Sequence, residues 1–259
     1  MSNIKNAFAN GKAFIPFITA GDPSPEITGE LVLQMAEAGA DLIELGIPFS
    51  DPVAEGEVIQ AANMRALSGG VTADKIFELV KHIRDKCTVP IVFMTYANPV
   101  FRYGAEKFLG NCREAGVDGI IIPDLPYEEK EEIQPFCSKY GVTLISMISP
   151  ASGSRIKMIA KEAEGFIYCV SSMGVTGVRQ HIGDEVKEMV KLVKTVNDIP
   201  CAVGFGVSTP GQAAKMAGYA DGVIVGSAIV RIIGEYGREC VPHVAGYVRM
   251  MKSAIEKVK

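Results

Sequence analysis

The chain has 259 residues, of which 48% are hydrophobic and 22% are charged, and its formal net charge is −4. This composition is typical of folded globular proteins and excludes disordered and fibrous classes. The excess of acidic residues leaves no basic surface for nucleic acid, and no apolar run approaches the roughly 20 residues of a membrane span. The first residues lack the apolar core of a signal peptide. We therefore expect a cytoplasmic, catalytic-sized protein in which residues 1–259 form a single domain.

Cysteine and histidine residues are scattered along the chain. None of the six cysteines belongs to a Cys-x-x-Cys pair, and the three histidines lie equally far apart. This spacing predicts neither a zinc site nor another metal centre. We expect the cysteines to be reduced and to pack mostly as small apolar residues.

Three similar segments predict repeated transitions from a helix to a strand. Each contains a glycine that can end a helix, then an aspartate, then an apolar β-branched run. The segments begin Ala38-Gly39-Ala40-Asp41, Ala115-Gly116-Val117-Asp118 and Ala217-Gly218-Tyr219-Ala220-Asp221. Weaker copies near residues 141 and 165, with apolar runs at 14–17, 90–93 and 200–203, bring the predicted strands to about eight. Continuous apolar runs are typical of a parallel sheet buried on both faces.

Helical patterns lie between the predicted strands. Apolar residues recur at spacings of three and four in the segments 27–38, 76–83 and 244–258. Strands that alternate with helices indicate an α/β fold, and eight such units predict a (β/α)8 TIM barrel. The alternative is a doubly wound open sheet, which favours Gly-x-Gly-x-x-Gly after the first strand. The sequence there is instead Phe17-Ile-Thr-Ala-Gly-Asp22.

Two glycine-rich turns follow the seventh and eighth predicted strands, where barrels of this kind usually hold phosphate. Gly206 belongs to the first turn, and Gly226 and Ser227 open a short predicted helix after the second. Backbone amides at such turns and at helix N-termini favour anions. Gly177, after the sixth strand, could add a further amide. Plain tight turns are the alternative interpretation, but two such turns side by side predict a phosphate site.

Two carboxylates without a cation beside them in the sequence are candidates for acid–base chemistry. Glu44 lies inside the apolar run Asp41-Leu-Ile-Glu-Leu-Gly-Ile47, and Glu55 lies in the loop that follows. Burial raises the pKa of a carboxyl group and suits it to proton transfer near neutral pH. The alternatives are a structural Glu44 bonded to its neighbours and a solvated Glu55.

The residues at the predicted strand ends also limit the kinds of reaction that the site can catalyse. No lysine ends a strand and no set of His, Asp and Glu clusters there, which argues against Schiff-base and metal-dependent mechanisms. Aromatic residues near these ends indicate a flat apolar group in the pocket, with core packing as the alternative; they are Phe17, Tyr96, Tyr168 and Phe205. The pattern therefore favours acid–base chemistry, without a metal, on a phosphorylated substrate.

Several blocks of sequence carry a family resemblance from about residue 2 to the C-terminus. The most specific is Glu44-Leu-Gly-Ile-Pro-Phe-Ser-Asp-Pro-Val-Ala-Glu55-Gly56, preceded by Pro16-Phe-Ile-Thr-Ala-Gly-Asp22. The others are Met94-Thr-Tyr-Ala-Asn-Pro99, Pro123-Asp-Leu-Pro126, Gly174-Val-Thr-Gly177, Gly204-Phe-Gly206 and Gly226-Ser-Ala-Ile-Val230. In this order, the blocks strongly resemble the tryptophan synthase α chain family.

The resemblance implies a TIM barrel with an extra N-terminal helix and C-terminal helices. It also implies a lyase that cleaves indole-3-glycerol phosphate to indole and glyceraldehyde 3-phosphate in tryptophan biosynthesis, without a cofactor. Glu44 would be the general acid–base residue, and Glu55 would face the indole N–H. The implied substrate-binding residues are Phe17, Tyr96, Asp124, Tyr168 and Thr176, and the implied phosphate-binding residues are Gly177, Gly206, Gly226 and Ser227.

The resemblance further implies a partner. Members of the family dock on a β chain that carries pyridoxal phosphate and consumes indole, so an α2β2 heterotetramer is expected. Asp51 and Pro52, in the loop after the second strand, resemble residues that face this partner. Nucleic acid and membrane are not expected partners.

The sequence departs from the family pattern at two positions of one loop. Glu55 stands where the family usually has Asp, and Glu57 where it usually has Pro. A longer side chain must fold back or shift the loop by about an ångström, a displacement that can cost about 100-fold in rate. Either the loop is adjusted to glutamate, or the chain is a weakly active substrate-binding subunit that depends on its β chain. Another metal-free phosphosugar barrel enzyme is the third alternative.

Overall fold

The computed structural model describes residues 3–170, 182–204 and 206–258 of the chain. In these ranges nine strands form one sheet: β1 (Ala13–Thr19), β2 (Ile43–Gly46), β3 (Ile91–Met94), β4 (Gly119–Ile121), β5 (Thr143–Leu144), β6 (Ser146–Ile148), β7 (Ile167–Val170), β8 (Cys201–Gly204) and β9 (Gly222–Val225). Neighbouring strands are parallel and follow the order β5-β4-β3-β2-β1-β9-β8-β7-β6.

The sheet curls into a nearly closed barrel at β5 and β6. These two strands are the opposite edges of the sheet, yet only Ile145 separates them in sequence. Together they occupy the place of the fifth predicted strand, while β7, β8 and β9 are the sixth, seventh and eighth. The predicted TIM barrel is therefore confirmed, and the count of nine reflects one strand whose pairing is interrupted at a single residue.

Helices connect successive strands and cover the outside of the barrel. They are α1 (Pro25–Glu37), α2 (Glu57–Ser68), α3 (Ala73–Arg84), α4 (Ala97–Tyr103), α5 (Ala105–Ala115), α6 (Gln134–Tyr140), α7 (Ile156–Glu162), α8 (Ile182–Lys194), α9 (Pro210–Ala217), α10 (Ser227–Tyr236) and α11 (Cys240–Glu256). Short 3-10 helices span Ile4–Phe8, Tyr127–Glu132, Pro150–Arg155 and Gly237–Glu239. The expected N-terminal helix is thus a 3-10 turn, and α10 and α11 are the expected C-terminal helices.

Helix boundaries follow local capping chemistry. Ser24 accepts a hydrogen bond from the Ile27 amide at the start of α1, and Thr209 forms a capping box with Gln212 at the start of α9. Gly116 ends α5 in the left-handed region, at φ 83°, as the helix-to-strand segments predict.

Alternate residues of the strands divide the core into an inner and an outer layer. The inner cluster contains residues in or directly beside nearly every strand, among them Ile15, Leu42, Val92, Tyr168 and Ala202. The outer clusters join the other face of the sheet to the helices. Glu44 lies two residues after Leu42 on β2, so its side chain is on the inner face.

The aspartate of each repeated segment fixes the start of a neighbouring strand, at the end of the barrel opposite the predicted chemistry. Asp41 accepts a hydrogen bond from the Phe14 amide at 2.7 Å, Asp118 from Ile91 at 3.0 Å and Asp221 from Cys201 at 2.8 Å. Each carboxylate also pairs with one cation; these are Lys252, Arg84 and Lys194. In each repeat the aspartate therefore joins the start of a neighbouring strand to a basic side chain, and we call this arrangement an aspartate clamp.

Membrane insertion was not expected from the sequence. Over the described ranges, no helix combines the length and the apolar character that a bilayer span needs.

Candidate active site

Glu44 is a buried acid on β2, two residues before the carboxyl end of the strand. Its side chain is only 1% exposed, and its Oε2 atom has no hydrogen-bond partner among the described residues. Burial, and secondarily the charge of Glu55, raises the pKa of Glu44 from the usual 4.5 to about 8. Near neutral pH this group can therefore both donate and accept a proton.

Two aromatic rings flank the inner face near Glu44, and glycines make room for them. A Cβ atom at Gly46 would lie 2.7 Å from Phe17 Cζ, and one at Gly204 would lie 2.8 Å from Tyr168 Cε1. Phe17 is opposite Glu44 in the pairing of β1 with β2. The charge of Glu44, after burial itself, contributes to a raised pKa of Tyr168. The structure thus places Phe17 and Tyr168 close to Glu44 on the inner face.

Glu55 lies in the loop between β2 and α2, beside Tyr96 and Asn63. Its Oε2 atom accepts a hydrogen bond of 2.6 Å from Asn63 Nδ2. Burial raises the pKa of Glu55, and hydrogen bonds from Asn63 and Tyr96 partly offset this. The charge of Glu55 in turn acts on both Glu44 and Tyr96. The two predicted carboxylates and the predicted tyrosine therefore share one site.

Asn63 is a site residue that the sequence motifs did not indicate. Asn63 is 3% exposed and lies on α2 with the buried residues Ala62 and Ala66. A polar residue on the buried side of an otherwise apolar helix face was the available signal, because such a group needs a partner. Thr19 is similar: its hydroxyl is buried without a hydrogen-bond partner in the described chain, on the same inward face as Phe17.

The predicted phosphate residues that the structure describes lie at the ends of the adjacent strands β8 and β9. Gly206 has a φ of 75°, and a Cβ atom there would meet no atom within 4 Å. Gly226 and Ser227 begin α10, whose first turn has no acidic residue and no side-chain cap. Backbone amides at such a helix start favour an anion. Thr176 and Gly177, together with Phe205, lie outside the described residues.

Asp124 has a structural contact in addition to its predicted role. It is exposed after β4, and its Oδ1 atom accepts a hydrogen bond of 2.9 Å from the Ala97 amide in the first turn of α4. Asp51 is exposed and Pro52 half-buried, in the loop between β2 and α2. Val53 beside them is 77% exposed. This part of the loop therefore lies at the surface of the chain.

Asp22, three residues after the end of β1, forms an ion pair with Arg65. It is fully buried and accepts two hydrogen bonds from Arg65, at 2.7 and 2.8 Å. Arg65 comes from α2, which also carries Asn63. A carboxylate paired in this bidentate way has both oxygens occupied by the guanidinium group and is poorly placed to transfer a proton. Among the buried or half-buried acids at this end of the barrel, Glu44 and Glu55 are the ones without a cationic partner in the described chain.

A separate cavity of about 270 Å³ lies beside β5 and β6, between the 3-10 helix Tyr127–Glu132 and α7. Its lining includes Lys130, Ser146, Arg155 and Glu162 but neither Glu44 nor Glu55. It is therefore not part of the candidate active site. Within the described ranges, no group of three His, Cys, Asp or Glu side chains is placed to hold a metal ion.

Comparisons with known proteins agree with this geometry. The family model for the tryptophan synthase alpha chain matches residues 3–256. The tryptophan synthase alpha chain of Lacticaseibacillus casei is 48% identical over 259 residues, which cover 100% of this chain and 97% of the relative. That of Halalkalibacterium halodurans is 50% identical over 238 residues, covering 91% of this chain and 89% of the relative.

Solved structures show the same likeness. The tryptophan synthase subunit alpha of Legionella pneumophila str. Paris aligns over 100% of both chains, with a TM-score of 0.90 and 36% identity. A chain from the tryptophan synthase a2b2 complex of Pyrococcus furiosus aligns over 94% of this chain and 99% of that chain, with a TM-score of 0.87 and 38% identity. With the barrel and the buried Glu44 already established, these matches show that the chain belongs to the tryptophan synthase α chain family.

Proposed function

We propose that Glu44 and Glu55 together carry out the α reaction on this chain. The activity is that of a lyase, the retro-aldol cleavage of indole-3-glycerol phosphate to indole and glyceraldehyde 3-phosphate. The observation that carries the residue assignment is the buried, unpartnered carboxyl group of Glu44, with a pKa of about 8, next to a second carboxylate.

Glu44 moves two protons in opposite directions. As the neutral acid, it protonates C3 of the indole ring, which makes the ring an electron sink. The carboxylate that remains takes the proton of the glycerol hydroxyl next to the ring. The electron pair of the breaking C–C bond then returns to the ring, an aldehyde forms, and Glu44 is again protonated. A pKa near the working pH suits a group that must act first as an acid and then as a base.

Glu55 stabilises the charge that develops during this step. Protonation at C3 places positive charge on the indole nitrogen, and an ionised carboxylate near the N–H group lowers the energy of that state. Such stabilisation contributes several kcal/mol when the group is well placed in a site that excludes water. The burial of Glu55 and its hydrogen bond to Asn63 support this role.

The remaining predicted residues bind the substrate. Phe17, Tyr96 and Tyr168 line the space for the indole ring and the glycerol chain. We also assign Asp124 and Thr176 to substrate binding. The amides of Gly177, Gly206, Gly226 and Ser227 hold the phosphate. The support for the phosphate site is the uncapped start of α10 beside the positive-φ turn at Gly206.

The chain works with a tryptophan synthase β chain, in an α2β2 assembly like the a2b2 complex of the Pyrococcus furiosus relative. Pyridoxal phosphate belongs to that β chain, and the α reaction on this chain uses no cofactor. We assign Asp51 and Pro52 to the face that meets the partner.

A cytoplasmic location is supported by six free cysteines, five of them buried. The packing of α11 on α1, α9 and α10 supports one domain over residues 1–259.

The test is a steady-state assay of indole release from indole-3-glycerol phosphate, with and without a β chain. Indole release by the chain alone, with further stimulation by the β chain, is the expected result. Binding of the substrate with indole release only when the β chain is present would favour the weakly active substrate-binding subunit. Turnover of a ribulose phosphate in place of indole release would favour another phosphosugar barrel enzyme.

A further inference from the structure

Asn63 is placed to hold the one site residue that departs from the family pattern. Its Nδ2 atom donates a hydrogen bond of 2.6 Å to Glu55 Oε2, eight residues earlier in the chain. The amide is itself well fixed, because Asn63 is 3% exposed on the buried side of α2. A short hydrogen bond to an ionised carboxylate is among the stronger contacts of its type.

The backbone around Glu55 is also held, which leaves its side chain as the variable part. The Ala54 amide donates to the Tyr96 hydroxyl at 3.2 Å, and Gln60 Nε2 donates to the Glu55 carbonyl at 2.7 Å. Gly56 then begins α2. With the main chain tied on both sides, a longer side chain at position 55 must take its position from a side-chain contact.

Glutamate has one more rotatable bond than aspartate, so an unanchored carboxylate at this position would sample several positions. A displacement of about one ångström at a catalytic group can cost about 100-fold in rate. Hydrogen bonds with Asn63 and Tyr96 limit this freedom, and the one from Asn63 fixes the Oε2 atom of the carboxylate.

We propose that Asn63 is a positioning residue for Glu55: it holds Oε2 so that the other oxygen meets the indole N–H, and this contact lets glutamate serve where the family usually has aspartate. This inference rests on the proposed function and adds a residue to its machinery.

The experiment is a double-mutant cycle on the full chain, assayed for indole release with a β chain present. Asn63→Ala should lower kcat by about 10-fold or more while KM changes by less than about twofold, because the phosphate site is untouched. In a Glu55→Ala background the same change should matter by less than about twofold, since the group it positions is gone. Loss of the hydrogen bond that lowers the pKa of Glu55 should also move the acid limb of the rate profile to higher pH.

Two further variants and one control test the contact between Asn63 and Glu55. Asn63→Asp keeps the size of the side chain but places a second negative charge beside Glu55, so it should lose activity at neutral pH at least as strongly as Asn63→Ala. Glu55→Asp should lower kcat, because the shorter side chain no longer reaches Asn63 while the loop is held. Asn197→Ala is the matched control: it removes another asparagine amide, which donates to the Ala160 carbonyl at 2.8 Å, and should leave kcat unchanged.

The outcomes separate this inference from the proposed function. If Glu55→Ala keeps the full rate, the role of Glu55 itself is wrong. If Glu55→Ala is impaired but Asn63→Ala and Asn63→Asp are fully active, only the inference about Asn63 is overturned. Equal losses from Asn63→Ala in both backgrounds, or a gain of activity in Glu55→Asp, would also overturn it.

Discussion

Glu44 faces Phe17 across the parallel pairing of β2 with β1, so that a buried carboxyl group has an aromatic ring as its neighbour on the next strand. The Oε2 atom finds no hydrogen-bond donor in the described chain, and burial is the main cause of its raised pKa. A protein keeps such an unsatisfied group at a cost in stability, which is typical of functional sites.

The stability cost gives the first prediction. In the folded state the pKa of Glu44 is about 8, against 4.5 when exposed. The folded protein therefore holds a proton that the unfolded chain releases, and stability falls as the pH rises through this window. Glu44→Gln should stabilise the chain by an amount that grows from about pH 4.5 to about pH 8, to the order of a few kcal/mol, and then levels off. Urea unfolding at several pH values measures this, and a pH-independent difference would contradict it.

The pH dependence of the rate gives the second prediction. Glu44 must begin the reaction protonated, so kcat/KM should fall above about pH 8. Glu55 must be ionised, and because burial raises its pKa, the acid limb should lie above the ordinary glutamate range. The two carboxyl groups interact, so both limbs describe the pair. A profile that stays flat into alkaline solution would contradict the assignment of Glu44 as the acid.

The phosphate site gives the third prediction. Ser227→Asp places a negative charge in the first turn of α10, where the substrate phosphate is proposed to bind. KM should rise by about 10-fold or more through like-charge repulsion, with a smaller effect on kcat. Ser253→Asp, an equal change on the exposed side of α11, is the control. An unchanged KM in Ser227→Asp would remove Ser227 from the phosphate site.

The aspartate clamps give the fourth prediction. Asp118 binds the amides of Asn3 and Ile91 and pairs with Arg84 at 2.8 Å. Asp118→Ala leaves a largely buried guanidinium unpaired and should lower the free energy of unfolding by about 3 kcal/mol or more. Glu78→Ala breaks the exposed pair with Lys81 and should cost less than about 1 kcal/mol. The folded fraction of Asp118→Ala should keep its kcat; similar losses of stability in both variants would contradict the clamp.

The barrel could be predicted from the sequence, because continuous apolar strands and repeated helix ends are signals carried by short segments of the chain. The burial of Glu44 could also be predicted, since a lone charge inside an apolar run has few other places to go. The long-range pairs were not predictable. Arg65 meets Asp22 across 43 residues, and Asn63 meets Glu55 only because α2 folds back over the loop.

The repeated Gly and Asp segments have a structural role and no part in the proposed chemistry. The repeated Gly and Asp segments predict strand starts correctly, but periodicity alone does not reveal that each aspartate binds the strand before it. Likewise, the sequence Gly204-Phe205-Gly206 indicates an anion-binding turn for both glycines. Gly204, however, makes room for the Tyr168 ring. The atom that lies next to a glycine belongs to a neighbouring strand, so the residues around the glycine in the sequence do not predict it.

The turnover of Glu44→Gln tests the central claim most directly. Indole release from indole-3-glycerol phosphate is measured with a β chain present, beside the wild type and Glu188→Gln, a change at a glutamate whose side chain is 69% exposed. Glutamine keeps the shape of the side chain but cannot exchange a proton, so we expect a fall of about 100-fold or more in kcat, with Glu188→Gln unchanged. If Glu44→Gln keeps more than about a tenth of the wild-type rate, Glu44 is not the acid–base residue of this enzyme.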